Sequence, residues 1–183
     1  MSRRREARLA ALATVQAEQE VRIEEGVVRT RTRLTYDISR AKLDRLKIEV
    51  PAEENQKVVG VFDPNVRQWD VKTEGGQQTI DVQLFEPVQG QQRLAVDLER
   101  FSDNLLADDL VIPAVKALDV GRQQGIVVHL IGFGLGNGAD EDAASLQAIA
   151  NASGGRYVAA GSAEELRAAL AQTVATSFSV YQG

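Results

Sequence analysis

Cysteine is absent from the chain, which excludes disulfides, thiolate nucleophiles and Cys-held metals, and leaves the redox compartment unreadable. Histidine and tryptophan occur once each, as His129 and Trp69, so imidazole acid–base chemistry has a single bearer. Cationic residues are outnumbered: 21 Lys and Arg stand against 26 Asp and Glu, for a formal charge of -5. A general nucleic-acid binder needs the opposite excess to displace phosphate counterions, so that partner class is set aside. No apolar run approaches the roughly 20 residues that span a bilayer, which sets aside direct membrane insertion as a helix. What remains, with 44% hydrophobic residues over 183 positions, is enough to build a core without covalent or metal staples.

At the N-terminus, a basic cluster precedes Leu9 to Ala13. That apolar run is too short for a secretory h-region, so residues 1–10 read as a flexible basic terminus rather than an export signal.

From residue 11 to 118 the dominant period is two. Val15, Ala17, Val21 and Ile23 share one parity, and Val28, Thr30, Thr32, Leu34, Tyr36 and Ile38 another, with Glu24-Glu25-Gly26 between. This predicts a hairpin of two long strands. Further alternation at Leu46 to Val50, Trp69 to Val71, Ile80 to Leu84 and Leu94 to Leu98 predicts more strands, with Glu74-Gly75-Gly76 and Pro87 to Gly90 as turns. Val111 to Val115 reads as a short final strand that Pro113 confines to an edge. The expected architecture is an antiparallel β-sandwich over 11–118, with 119–125 as a linker.

Beyond Gly125 the pattern changes. Ile126 to Ile131 is almost wholly apolar, as in a strand covered on both faces. Asp140 or Asp142 is suited to cap the next helix, whose stripe is Leu146, Ile149 and Ala150, and Gly154-Gly155 supplies its left-handed exit. Arg156 to Ala160 is a second strand. Ser162 and Glu165 form a capping-box pattern ahead of Leu166, Ala169, Leu170 and Val174, and Phe178 to Tyr181 reads as a closing strand.

Ile131-Gly-Phe-Gly134, Leu146-Gln-Ala-Ile-Ala150, Gly154-Gly-Arg-Tyr157 and Glu165-Leu166 together resemble the carboxyl-terminal third of a von Willebrand factor A domain, over about residues 125–181. The β-rich region is similar, more distantly, to sandwich modules that accompany such domains in bacterial surface and envelope proteins. The resemblance implies an α+β protein, with the sandwich followed over 126–183 by a partial Rossmann-like segment. It also implies a binding role, a protein partner and an extracytoplasmic or envelope setting. It carries over no metal site: the family's Asp-x-Ser-x-Ser loop is missing, and the nearest string, Asp37-Ile-Ser-Arg-Ala41, puts Arg40 where a cation would sit.

Other constellations reduce to structure. Gly132 to Gly138 fits a dinucleotide loop only loosely and lacks the acid expected after a second strand, so it reads as a strand-to-helix loop. Asp140, Glu141 and Asp142 lack EF-hand spacing and read as helix-start residues. His129 lies inside an apolar strand with no visible catalytic partner and reads as a buried or sheet-edge histidine with one hydrogen bond. Arg29, Arg31 and Arg33 share one strand face, expected to pair with acids across the hairpin. Trp69 reads as a core residue. The sequence therefore predicts a non-enzymatic protein-interaction or scaffold module with no catalytic, cofactor or metal residues. The alternative is a nucleotide-binding enzyme using the Gly132 to Gly138 loop.

Overall fold

The computed structural model describes residues 11–101, 112–133 and 139–179, with side chains for 143–172 of the last segment. Nine strands and two helices follow in the order β1 (Leu12–Glu24), β2 (Val27–Pro51), β3 (Gln56–Phe62), β4 (Val66–Glu74), β5 (Gln77–Phe101), β6 (Lys116–Leu118), β7 (Arg122–Gln123), β8 (Val127–Phe133), α1 (Ala139–Ala152), β9 (Tyr157–Ala160) and α2 (Ala163–Ser179).

The predicted hairpin forms, with Val15 opposite Tyr36 and Glu24 opposite Val27. Alternation then does what period two demands: odd residues of β1, and even residues of β2 from Val28 to Ile38 and again from Leu46 to Val50, face inward and are buried.

β2 and β5 have 25 residues each, and run straight each would span about 80 Å. They bend instead. The β2–β5 register breaks between Ile38 and Leu43 and again before Arg45, where Arg40 has φ 70° and Gly90 φ 94°. Each strand thereby contributes to two layers. Leu34, Tyr36 and Ile38 from one end of β2, and Ile48 and Val50 from the other, lie in one buried cluster with Ile80, Val82, Leu94, Val96 and Leu98 of β5. No described helix contributes to that cluster, and the two layers bury each other as a sandwich. Two expected boundaries are corrected here. Pro87 to Gly90 lies inside β5 at the bend rather than in a turn, with Pro87 in the stretch that takes no partner from β2. Residues 112–115 form no regular strand, and β6 at Lys116–Leu118 pairs with β2 instead. β3 was absent from the sequence reading.

β8 lies between β1 and β9, parallel to both. Its alternate residues serve two faces. Val128 and Leu130 pack with Val21, Ile23, Val28 and, from α1, Leu146 and Ala150. Ile131 packs on the opposite face with Ala160 and Ala169. Residues 119–125 run along β1, with β7 paired to it and Gly121 N–H and Gln124 N–H donating to Ala13 O (2.8 Å) and Val15 O (2.9 Å).

The helix ends obey the expected chemistry with two amendments. α1 exits through Gly154, φ 82°, with Gly154 and Gly155 N–H bonded to Asn151 O and Ala150 O. Gly155 is required for another reason: a Cβ there would stand 1.8 Å from Val128 O. Ser162 Oγ accepts from Glu165 N–H at 3.2 Å, while the Glu165 carboxylate accepts from Gly161 N–H at 2.7 Å. α1 starts at Ala139, so Asp140 and Asp142 occupy its first turn rather than its cap position. α2 continues through Phe178 and Ser179, which corrects the closing strand read there.

Candidate functional site: an open seam between two edge strands

β3 and β4 follow each other in sequence but belong to different layers. Each pairs with β5, β3 along its carboxyl-terminal half and β4 along its amino-terminal half, and neither pairs with the other. The sandwich is consequently open between them. A surface groove of about 830 Å³ lies in this seam, lined by Val61, Phe62, Asp63, Pro64, Val66, Arg67, Gln68 and Trp69.

Its walls combine core and surface. Val61 is buried, while Val66 and Trp69 pack against the core only in part. Phe62 is 53% exposed, and its ring lies over Gly60, where a Cβ would meet it at 2.2 Å. Trp69 is thus half core, half groove wall, which modifies the reading of it as a core residue.

The lip of the groove, the turn Asp63-Pro64-Asn65, is held by a polar network. Asp63 Oδ1 accepts from Asn65 N–H and from Gln92 Nε2, both at 2.9 Å. Asn65 Nδ2 donates to Gln92 Oε1 (3.1 Å) and Glu86 O (3.0 Å), and Asn65 Oδ1 accepts from Glu86 N–H (3.0 Å). The Asp63 carboxylate is therefore committed to the turn. Arg67, by contrast, is exposed and has no ion-pair partner among the described residues.

The residues singled out from sequence stand elsewhere. His129 is 4% exposed, with Nε2 3.3 Å from Glu18 Oε1 and Nδ1 buried without a partner. Its buried setting agrees with the sequence reading. The arginines of the ladder each stand beside an acid, although Arg33 Nη1 is buried with no hydrogen-bond partner among the described residues. Arg29 pairs with Glu24 and with Glu99 (2.9 Å), Arg31 grips both oxygens of Asp97 (2.7 and 2.6 Å), and Arg33 lies 3.7 Å from Glu20. Hydrogen bonds to these carboxylates raise the pKa of Arg29 and Arg31 further above the working range, so both stay charged. Asp37 is an exposed residue within β2, opposite Gln91. Of the glycine loop, Gly132 and Phe133 close β8; residues 134–138, and the side chains of Asp140, Glu141 and Asp142, lie outside the described residues. Among the described residues no group of three or more His, Asp or Glu is placed to hold a metal, and no helix is long and apolar enough to cross a membrane.

No protein-family model and no curated protein matches the chain. Solved structures that resemble it include a non-cellulosomal cohesin from the archaeon Archaeoglobus fulgidus (12% identity, 65% of this chain and 86% of that one, TM-score 0.36). The chitin-binding domain of a chitinase from Pyrococcus furiosus is another (9%, 59% and 97%, TM-score 0.34). A third is an M1 zinc metallopeptidase from Deinococcus radiodurans (16%, 50% and 20%, TM-score 0.33), of whose length this chain spans about a fifth. None of these is a von Willebrand factor A domain, and that resemblance is corrected. The physical reason is local. Any short parallel strand flanked by helices calls for Leu146, Ile149 and Ala150 at helical spacing, and Gly155 is dictated by the approach to Val128 O. Here that unit is built onto β1, a strand of an antiparallel hairpin.

Proposed function

We propose that this chain is a non-enzymatic protein-interaction module whose binding surface is the seam between β3 and β4. The occupant is an extended polypeptide segment that places an apolar side chain against Trp69 and Val61 and a carboxylate on Arg67. The supporting observation is the groove itself: partly exposed core, two strand edges unpaired along it, and one lining cation without a counter-charge. Unpaired strand edges favour a peptide because its backbone supplies the complementary donors and acceptors. Elsewhere, Arg29, Arg31 and Gln19 meet partners inside the fold.

Trp69 is the only tryptophan, so its emission reports on the groove directly. Linear peptides selected against the full chain from a random display library should be enriched in acidic residues next to apolar ones, and should shift Trp69 emission. Arg67→Glu should weaken their binding about tenfold or more. Selected peptides that leave Trp69 unchanged and bind Arg67→Glu equally well would remove the groove from the account.

A further inference from the structure

β4 carries a second feature, which adjoins the groove at Gln68 and Trp69. Its pairing with β5 is regular from Gln68 to Glu74, and along this stretch its other edge pairs with no described strand. Asp70 stands directly across from Asp81, a like-charge pair that disfavours the sheet. Asp81 has Arg45 at 3.9 Å, but Asp70 has no ion-pair partner among the described residues, and neither has Lys72. The position beside Asp70 on the free edge of β4 is where a cation would relieve it.

We infer that a second copy of this chain supplies that cation, by antiparallel pairing of β4 with the same strand of its partner about a two-fold axis at Val71. In that register Asp70 faces the partner's Lys72 and Lys72 faces the partner's Asp70. Val71 faces itself, Trp69 faces the partner's Thr73, and Gln68 faces the partner's Glu74. The contact is self-complementary, as a two-fold interface requires.

Other registers fail on the same residues. Moving the axis to Asp70 or to Lys72 sets like charges against each other. A one-residue slip sets the polar face of one strand against the apolar row, Trp69 and Val71, of the other. An axis at Thr73 leaves only Lys72 to Glu74 in the pairing before the strand ends.

The other free edges suit this role less. The β3–β5 register is interrupted between Val58 and Gly60, a bulge that turns an edge away from added strands. β9 has only four residues.

Sedimentation velocity of the full chain over a concentration series tests the inference. The expected result is a monomer–dimer equilibrium that Asp70→Lys weakens about tenfold or more, because both symmetric pairs become repulsive. Lys72→Glu should act likewise, and the double variant Asp70→Lys/Lys72→Asp, which reverses both pairs, should restore the dimer. Asp70→Lys also replaces the like-charge pair with Asp81, so at concentrations where both chains are monomeric its thermal melt should not fall below that of the parent. A chain that sediments as a monomer up to the highest soluble concentration overturns the inference, as does a dimer that the double variant fails to restore. This inference does not rest on the groove reading: a monomer whose Trp69 still responds to selected peptides refutes the dimer alone, and a dimer without peptide response refutes the groove alone.

Discussion

The two ends of the path β3-β5-β2-β1-β8-β9 are finished in opposite ways. At the β8–β9 end, helices cover both faces: Leu146 and Ala150 of α1 on one, Ala169 of α2 on the other, with Leu130 and Ile131 between them fully buried. At the β3–β4 end no described residue covers the seam: Phe62 is exposed, Trp69 is half-buried, and Arg67 has no ion-pair partner among the described residues. The same alternation of side chains serves both ends. The helical end buries its apolar residues on both faces, whereas the open end leaves apolar surface and strand edges uncovered among the described residues.

Substitutions sharpen this contrast, and the largest effects belong at the closed end. Leu130→Ala removes a fully buried side chain between β1 and α1 and should cost about 2–5 kcal/mol in denaturant unfolding. Gly155→Ala drives a methyl group into the backbone of Val128, which cannot yield as a flexible side chain would, and should cost about 2–3 kcal/mol. At the open end, Phe62→Ser should change stability by no more than about 0.5 kcal/mol while weakening peptide binding; a loss as large as that of Leu130→Ala would erase the contrast.

The sandwich core that joins the two ends contains its own test. Tyr36 is fully buried and its hydroxyl has no hydrogen-bond partner, and burial pushes its pKa above the usual tyrosine range. The neutral form is therefore the folded form. Stability is undiminished below the ordinary tyrosine pKa of about 10 and falls as pH rises above it, because the unfolded chain ionises first. Tyr36→Phe should abolish that share of the alkaline slope and stabilise the protein at neutral pH by about 1 kcal/mol, read from urea melts at two pH values.

The parts of the fold legible in the sequence are those set by local periodicity. The β1–β2 hairpin followed from parity around Glu24-Glu25-Gly26, and the β8-α1-β9-α2 order from an apolar run, a helical stripe, Gly154 and the Ser162–Glu165 cap. β3 escaped because the bulge between Val58 and Gly60 breaks its alternation. Pro87 and Gly90 read as turn residues because their backbone preferences suit a bend in a continuous strand equally well. The candidate site escaped for a reason no window could reveal. The seam exists because β3 and β4 pair with opposite ends of β5, a long-range choice, and Arg67 and Phe62 carry no motif of their own.

Hydrogen exchange of the full chain with and without a peptide selected against it tests the difference between the two ends most directly. The account predicts added protection at Val61 to Trp69, where the seam lies, and no change along β8 and β9. Protection concentrated along Val127 to Phe133 and the start of α1, with β3 and β4 unaffected, would contradict it and move the function to the other end of the sheet.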